Sequence, residues 1–177
     1  MKDVGTGLEN YLNTEKHMTS CDLFVLQLAN GTKYYYTNAD TNVVYGGNTY
    51  RHDQLLIKRQ QVKLNATVVV DTMTITVYAD GAVNLGSKGS KIAAHDGTLD
   101  RAKMFVYRAF FDSDNAILGV MGIFGGSVEV KKCGGLTLEL TVKAQTQGLS
   151  QEFPRRKYYP QGAYSTTNGK VTSRTDN

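Results

Sequence analysis

The chain has 177 residues, 41% of them hydrophobic, with 18 Gly and 2 Pro; that suits one packed, turn-rich domain and excludes a disordered polymer. Twenty Lys and Arg against sixteen Asp and Glu leave a formal charge of +4. Residues 154–177 hold Arg155, Arg156, Lys157, Lys170 and Arg174 against Asp176 and account for all of that excess, so the near-neutral body carries no basic stripe of the nucleic-acid-binding kind.

Met1-Lys2-Asp3-Val4-Gly5 leads into a polar stretch, so no signal peptide is expected. No run approaches the roughly 18 apolar residues of a membrane span, and no membrane insertion is expected. Leu8, Tyr11 and Leu12 at helical spacing, with Met18 later on a similar face, predict a short amphipathic helix over one end of a β core.

From Cys21 the period becomes extended. Leu23 to Leu28 reads as a buried strand, Asn30-Gly31 as a hairpin turn and Lys33 to Thr37 as the return strand. Tyr45 to Tyr50 is a second hairpin, bent at Gly46-Gly47. Met73, Ile75 and Val77 alternate with threonines. Leu136, Leu138, Leu140 and Val142 alternate with Thr137, Glu139, Thr141 and Lys143. Such strands have one wet and one buried face, which predicts antiparallel pairing. Burying all four aliphatics of the second strand would contribute about 6–12 kcal/mol gross.

Between these, Gly86 to Asp100 is polar with a short helix near Ile92-Ala93-Ala94. Met104 to Phe111 is a strand, Asp112 to Asn115 a turn, and Ala116 to Ile123 the return. Gly125-Gly126 is expected to break that run before Ser127 to Val130, and Cys133-Gly134-Gly135 to turn the next hairpin. The expected organisation is a β domain over 1–150 and a basic, aromatic arm over 151–177, whose last residues, 165–177, are expected to move unless a partner orders them. The fold class is mainly β with a minor α part, an antiparallel barrel or sandwich.

No catalytic constellation is visible. His17, His52 and His95 lack metal-ligand spacing, and Asp112-Ser113-Asp114-Asn115 lacks the glycine and glutamate of a calcium loop. Neither a Gly-x-Ser-x-Gly elbow nor a phosphate loop occurs. Asp53, Asp71 and Asp80 form no recognisable acid pair. Cys21 and Cys133 read as small buried hydrophobes. No cofactor and no enzymatic activity are expected. Tyrosine is abundant instead, with 11 Tyr and no Trp. Tyr34, Tyr35 and Tyr36, and the cluster Arg155, Arg156, Tyr158 and Tyr159, are the candidate protein-contact residues, because Tyr and Arg anchor interfaces.

The order of segments carries a resemblance. It runs through the helix of Gly7 to Met18, the strand Asp22 to Leu28, Asn30-Gly31, Thr37-Asn38-Ala39-Asp40 and Gly47-Asn48-Thr49-Tyr50. It continues with the strands of Lys63 to Ala79, Leu99-Asp100-Arg101-Ala102, the Gly-rich pair Ile123 to Leu140, and Phe153 to Tyr158. Over roughly residues 7–160 this resembles the tail-tip proteins of phages, prophages and gene-transfer agents grouped as DUF2163, similar to the minor tail protein L of lambda-like phages. The resemblance implies a β-barrel-like tail-tube domain in a virion tail, made in the bacterial host cytoplasm. It implies partners too: a ring of like subunits, the tube, the tape measure and the central fibre or hub, with passing DNA as a further contact for the basic arm. Relatives continue into a cysteine-containing domain that can hold an iron–sulfur cluster. Pro160 to Tyr164 carries no Cys, so no cluster is expected here. Two other readings remain open: a carbohydrate-binding β-sandwich for attachment to a cell surface, with exposed coplanar tyrosines and calcium, and a cell-wall hydrolase.

Overall fold

A computed structural model describes residues 5–15, 18–63, 71–78, 83–85, 87–144, 164–167 and 170–173. Helix α1 (Gly5–Thr14) precedes the hairpin β1 (Thr19–Gln27) and β2 (Lys33–Thr37). Short strands β3 (Val43–Tyr45) and β4 (Asn48–Tyr50) follow, then β5 (Leu56–Arg59) and β6 (Thr72–Tyr78). Next come β7 (Val83–Leu85), β8 (Lys88–Gly89) and α2 (Ser90–His95). The long strands β9 (Lys103–Phe111), β10 (Ile117–Gly134) and β11 (Thr137–Ala144) come next, then β12 (Tyr164–Thr167) and β13 (Lys170–Ser173).

Seven strands form one antiparallel sheet in the order β2-β1-β9-β10-β11-β6-β5, so the mainly β expectation holds. The turns are those the sequence chemistry asks for. Gly31 has φ 88° behind β1, and Gly46 and Gly47 have φ 58° and 76° between β3 and β4, backbone values that cost glycine nothing.

The sheet curls into a half-barrel. Its inner face holds the main core: Phe24, Leu26, Tyr36, Ile57, Met73, Ile75, Val77, Met104, Val106, Leu138, Leu140 and Val142 are all nearly or fully buried. Ala93 of α2, with Leu99 and Ala102 behind it, belongs to the same core. The outer face of β1 and β9 is also buried where the β3–β4 hairpin folds over it, packing Val43 and Tyr50 against Cys21, Leu23, Val25 and Ala109. This two-sided cover explains why β1 reads as a continuous apolar run while β6 and β11 alternate.

Three details differ from the expectation. The helix ends at Thr14, and Met18 is 46% exposed, so Met18 does not share its buried face. Leu136 sits in the β10–β11 turn and is 72% exposed, leaving three buried aliphatics on β11 and a gross contribution of about 5–9 kcal/mol. Gly125-Gly126 does not break the chain, because β10 runs through both, with register shifts elsewhere. Their missing side chains serve packing: a Cβ on Gly125 would lie 2.7 Å from the Phe105 ring, and one on Gly126 only 1.8 Å from the Lys143 carbonyl oxygen. Strands β12 and β13 form a separate antiparallel hairpin.

Candidate interaction site

Three features of the described surface bear on function. The first is a buried ionic node. Asp22 of β1 is 5% exposed. Arg59 Nε of β5 donates to its Oδ2 at 2.5 Å, and Arg108 Nε of β9 donates to its Oδ1 at 3.0 Å. Arg108 is the cross-strand neighbour of Asp22, whereas β5 is the opposite end strand of the sheet. The node therefore ties the β5 edge of the curled sheet to β1 and β9 near its opposite edge. Two guanidiniums on one carboxylate keep that charge compensated in a dry setting.

The second feature is an apolar patch beside β5. Leu56 and Tyr78 are register partners and 54% and 38% exposed. Tyr78 in turn pairs with Thr137, next to exposed Leu136. Lys58 Nζ lies 5.5 Å from the Tyr78 ring centroid, a cation–π distance. Two large apolar side chains, Leu56 and Tyr78, exposed side by side on the end strand and its neighbour, mark a candidate contact surface.

The third is a groove of about 460 Å³ between the outer sheet face and the β3–β4 hairpin, lined by Gln27, Tyr35, Tyr45, Asn48, Tyr50 and Tyr107 among others. Tyr35 and Tyr50 meet edge to face with centroids 5.3 Å apart. Burial, together with the neighbouring phenols of Tyr107, Tyr35 and Tyr45, pushes the Tyr50 hydroxyl up to about 12. A separate groove of about 770 Å³ between residues 38–44 and the 111–117 turn includes Cys21 in its wall. Burial raises the Cys21 thiol above its ordinary value, which keeps it protonated and unreactive.

The predicted contact residues divide. Tyr35 faces the third groove, half-buried. Tyr34 is half-buried on the other face, its ring stacked on Tyr36 at 6.4 Å. Tyr36 is 1% exposed and part of the core, so it presents no surface to a neighbour, contrary to the expectation for all three rings. Alternation along a strand forces this split, since consecutive residues point to opposite faces. Arg155, Arg156, Tyr158 and Tyr159 lie outside the described residues. Among the described residues, no group of three His, Cys, Asp or Glu side chains could hold a metal ion, and both cysteines are free. Leu56 and Tyr78 escaped the sequence reading because single exposed apolar residues carry no periodic signal, and Leu136 was instead read as a buried member of an alternating strand. Tyr45, Tyr50 and Tyr107 escaped it because only the fold gathers them.

The described chain also has recognisable likenesses. A family model for the N-terminal attachment domain of a baseplate hub protein matches residues 6–164. A chain in the structure "Virion of native gene transfer agent (GTA) particle" aligns with a TM-score of 0.63 at 19% identity. That alignment covers 97% of this chain and 55% of the other, so this chain spans about half the length of its structural counterpart. At that identity the likeness is one of fold. No curated protein matches.

Proposed function

The chain belongs to the family of baseplate hub N-terminal attachment domains, and from that premise we propose that it joins the tail tube of a phage or prophage-derived particle to the distal fibre or hub. The observation that supports this reading is the exposed apolar pair Leu56 and Tyr78 at the β5 end of the sheet. Exposed apolar side chains that neighbour one another at a sheet edge suit a contact with another protein. Subunits of a ring meet through one such patch and a different patch on the next copy, a head-to-tail contact that closes on itself.

On this reading the protein is non-catalytic and works in the virion tail after synthesis in the bacterial host cytoplasm. The likeness of its segment order to DUF2163 and minor tail protein L supports partners among tube, tape-measure and fibre proteins. Arg155, Arg156, Tyr158 and Tyr159 act as an anchoring arm, in contact with a neighbour or with DNA passing through the tail. Tyr34 and Tyr35 add half-buried contact area at the other end of the sheet.

The test is the mass of the purified protein in solution, alone and mixed with its tube and fibre neighbours. The expected result is a closed oligomer or a stable complex, weakened by Leu56→Lys and by Tyr78→Ser. A monomer that binds neither neighbour refutes the reading.

A further inference from the structure

Apart from Tyr35, the residues lining the groove under the β3–β4 hairpin have no part in the proposed assembly. We infer that this groove binds a saccharide. Its volume of about 460 Å³ lies within the usual range for small-ligand sites, about 300–1,000 Å³. Its floor is the outer face of paired strands: Tyr35 and Tyr107 stand on β2 and β9, on either side of β1. Its roof is the hairpin, which brings Tyr45 and Tyr50 over them.

Four phenols thus converge in one place. None of their hydroxyls has a hydrogen-bond partner among the described residues, and neither does the Gln27 amide. Asn48 uses its amide nitrogen on the Gly46 carbonyl at 3.1 Å, which leaves its side-chain oxygen to accept another bond.

These groups suit a sugar for three reasons. A phenol both donates and accepts a hydrogen bond, as a sugar hydroxyl does, whereas a carboxylate or phosphate needs donors alone. The tyrosine rings offer flat apolar surface to the C–H face of a pyranose ring while their tips stay polar. The carboxamide of Gln27 carries a donor and an acceptor side by side, matching two adjacent hydroxyls. Other occupants fit less well. Single-stranded nucleic acid needs a cationic track, and Lys33 is the one cation in this wall. A peptide that adds as a strand needs a sheet edge, and this groove opens on a face.

The experiment uses the whole chain on a glycan array bearing neutral hexoses, N-acetylhexosamines and uronic acids. Titration of the bound sugar in solution follows, read by tyrosine fluorescence, which no Trp obscures. Saturable binding is expected. Tyr107→Phe deletes one hydroxyl and keeps the ring, so it folds; it should weaken binding about 3–10-fold, the worth of one hydrogen bond. Tyr45→Ala, at a 42% exposed position, should weaken binding about tenfold or more through lost ring contact and hydrogen bonding. Leu136→Ser, in the β10–β11 turn and outside the groove lining, should leave it unchanged. No array signal, and no saturation at about 10 mM sugar, ten times a millimolar Kd, overturns the inference. Equal binding by all variants overturns it as well, as does Tyr45-dependent capture of a synthetic 153–160 peptide in place of any sugar.

Discussion

Replacing Gly126 with alanine puts one methyl group against the backbone of β11. The new Cβ would lie 1.8 Å from the Lys143 carbonyl oxygen, 2.5 Å from its carbon and 3.0 Å from the Ala144 nitrogen. All three are backbone atoms, so no rotamer can relieve the contact. Restoring ordinary van der Waals separation requires the strands to part by about 1.6 Å, which takes neighbouring ladder bonds past the 2.7–3.2 Å range. Overpacking costs about 1–3 kcal/mol, and one or two lost backbone bonds cost about 0.5–1.5 kcal/mol each. The reduced entropy of the unfolded chain returns less than about 1 kcal/mol. The expected net loss is about 2–4 kcal/mol, a large share of a domain's typical 5–15 kcal/mol. Gly134→Ala is the control, because a Cβ there meets nothing within 4 Å; its effect should stay within about 0.5 kcal/mol. Urea unfolding followed by circular dichroism measures both, and a 2–4 kcal/mol loss moves the midpoint by about 1–2 M at typical slopes. Equal stability of the two variants would refute the close-approach account of the glycine pair.

Asp22→Asn leaves Arg59 and Arg108 facing one another without their carboxylate and should cost about 3–5 kcal/mol. At about 2–4 °C per kcal/mol for a chain of this size, Tm should fall by at least 6 °C, and a smaller fall would mean that the node does not hold the curl. Tyr50 should make the fold sensitive to alkali. The unfolded phenol ionises near its ordinary value of about 10, while the folded one stays protonated until about 12. Its contribution is therefore complete below pH 10 and lost as pH rises toward 12. Tyr50→Phe should flatten that part of the stability profile, and an unchanged slope would count against it. Gly119→Val should unseat α1, because even a Cβ there would lie 2.9 Å from the Leu8 side chain. Faster amide exchange over residues 5–14, with β1 and β9 still protected, is the expected readout; uniform exchange would reject it.

Strands that alternate were readable directly. In β6 and β11 threonine, glutamate and lysine mark the wet face and aliphatics the dry one, so period and orientation come together. The length of β10 was hidden because glycine signals both a turn and a close approach, and only the neighbours Phe105 and Lys143 decide which. The tyrosine triplet lay on the expected return strand, but which ring faces the core depends on strand order. That order rests on β1 pairing with β9, far away in sequence. The same long-range pairing sets Tyr107 beside Tyr35, and no local pattern predicts it. The candidate arm was chosen on composition, and its Arg and Tyr residues fall outside the described residues.

That pairing has a consequence for biogenesis. Gln27 at the end of β1 is matched with Lys103 at the start of β9. About 75 residues separate them, so at roughly 5–20 residues per second the ribosome needs about 4–15 s to supply the partner. During that interval the nascent β1–β2 hairpin exposes greasy surface on both sides, including Phe24 and Leu23. Such a hairpin is a natural client for a chaperone that rides the emerging chain, and depleting that chaperone should lower soluble yield while leaving the finished protein's melting temperature untouched.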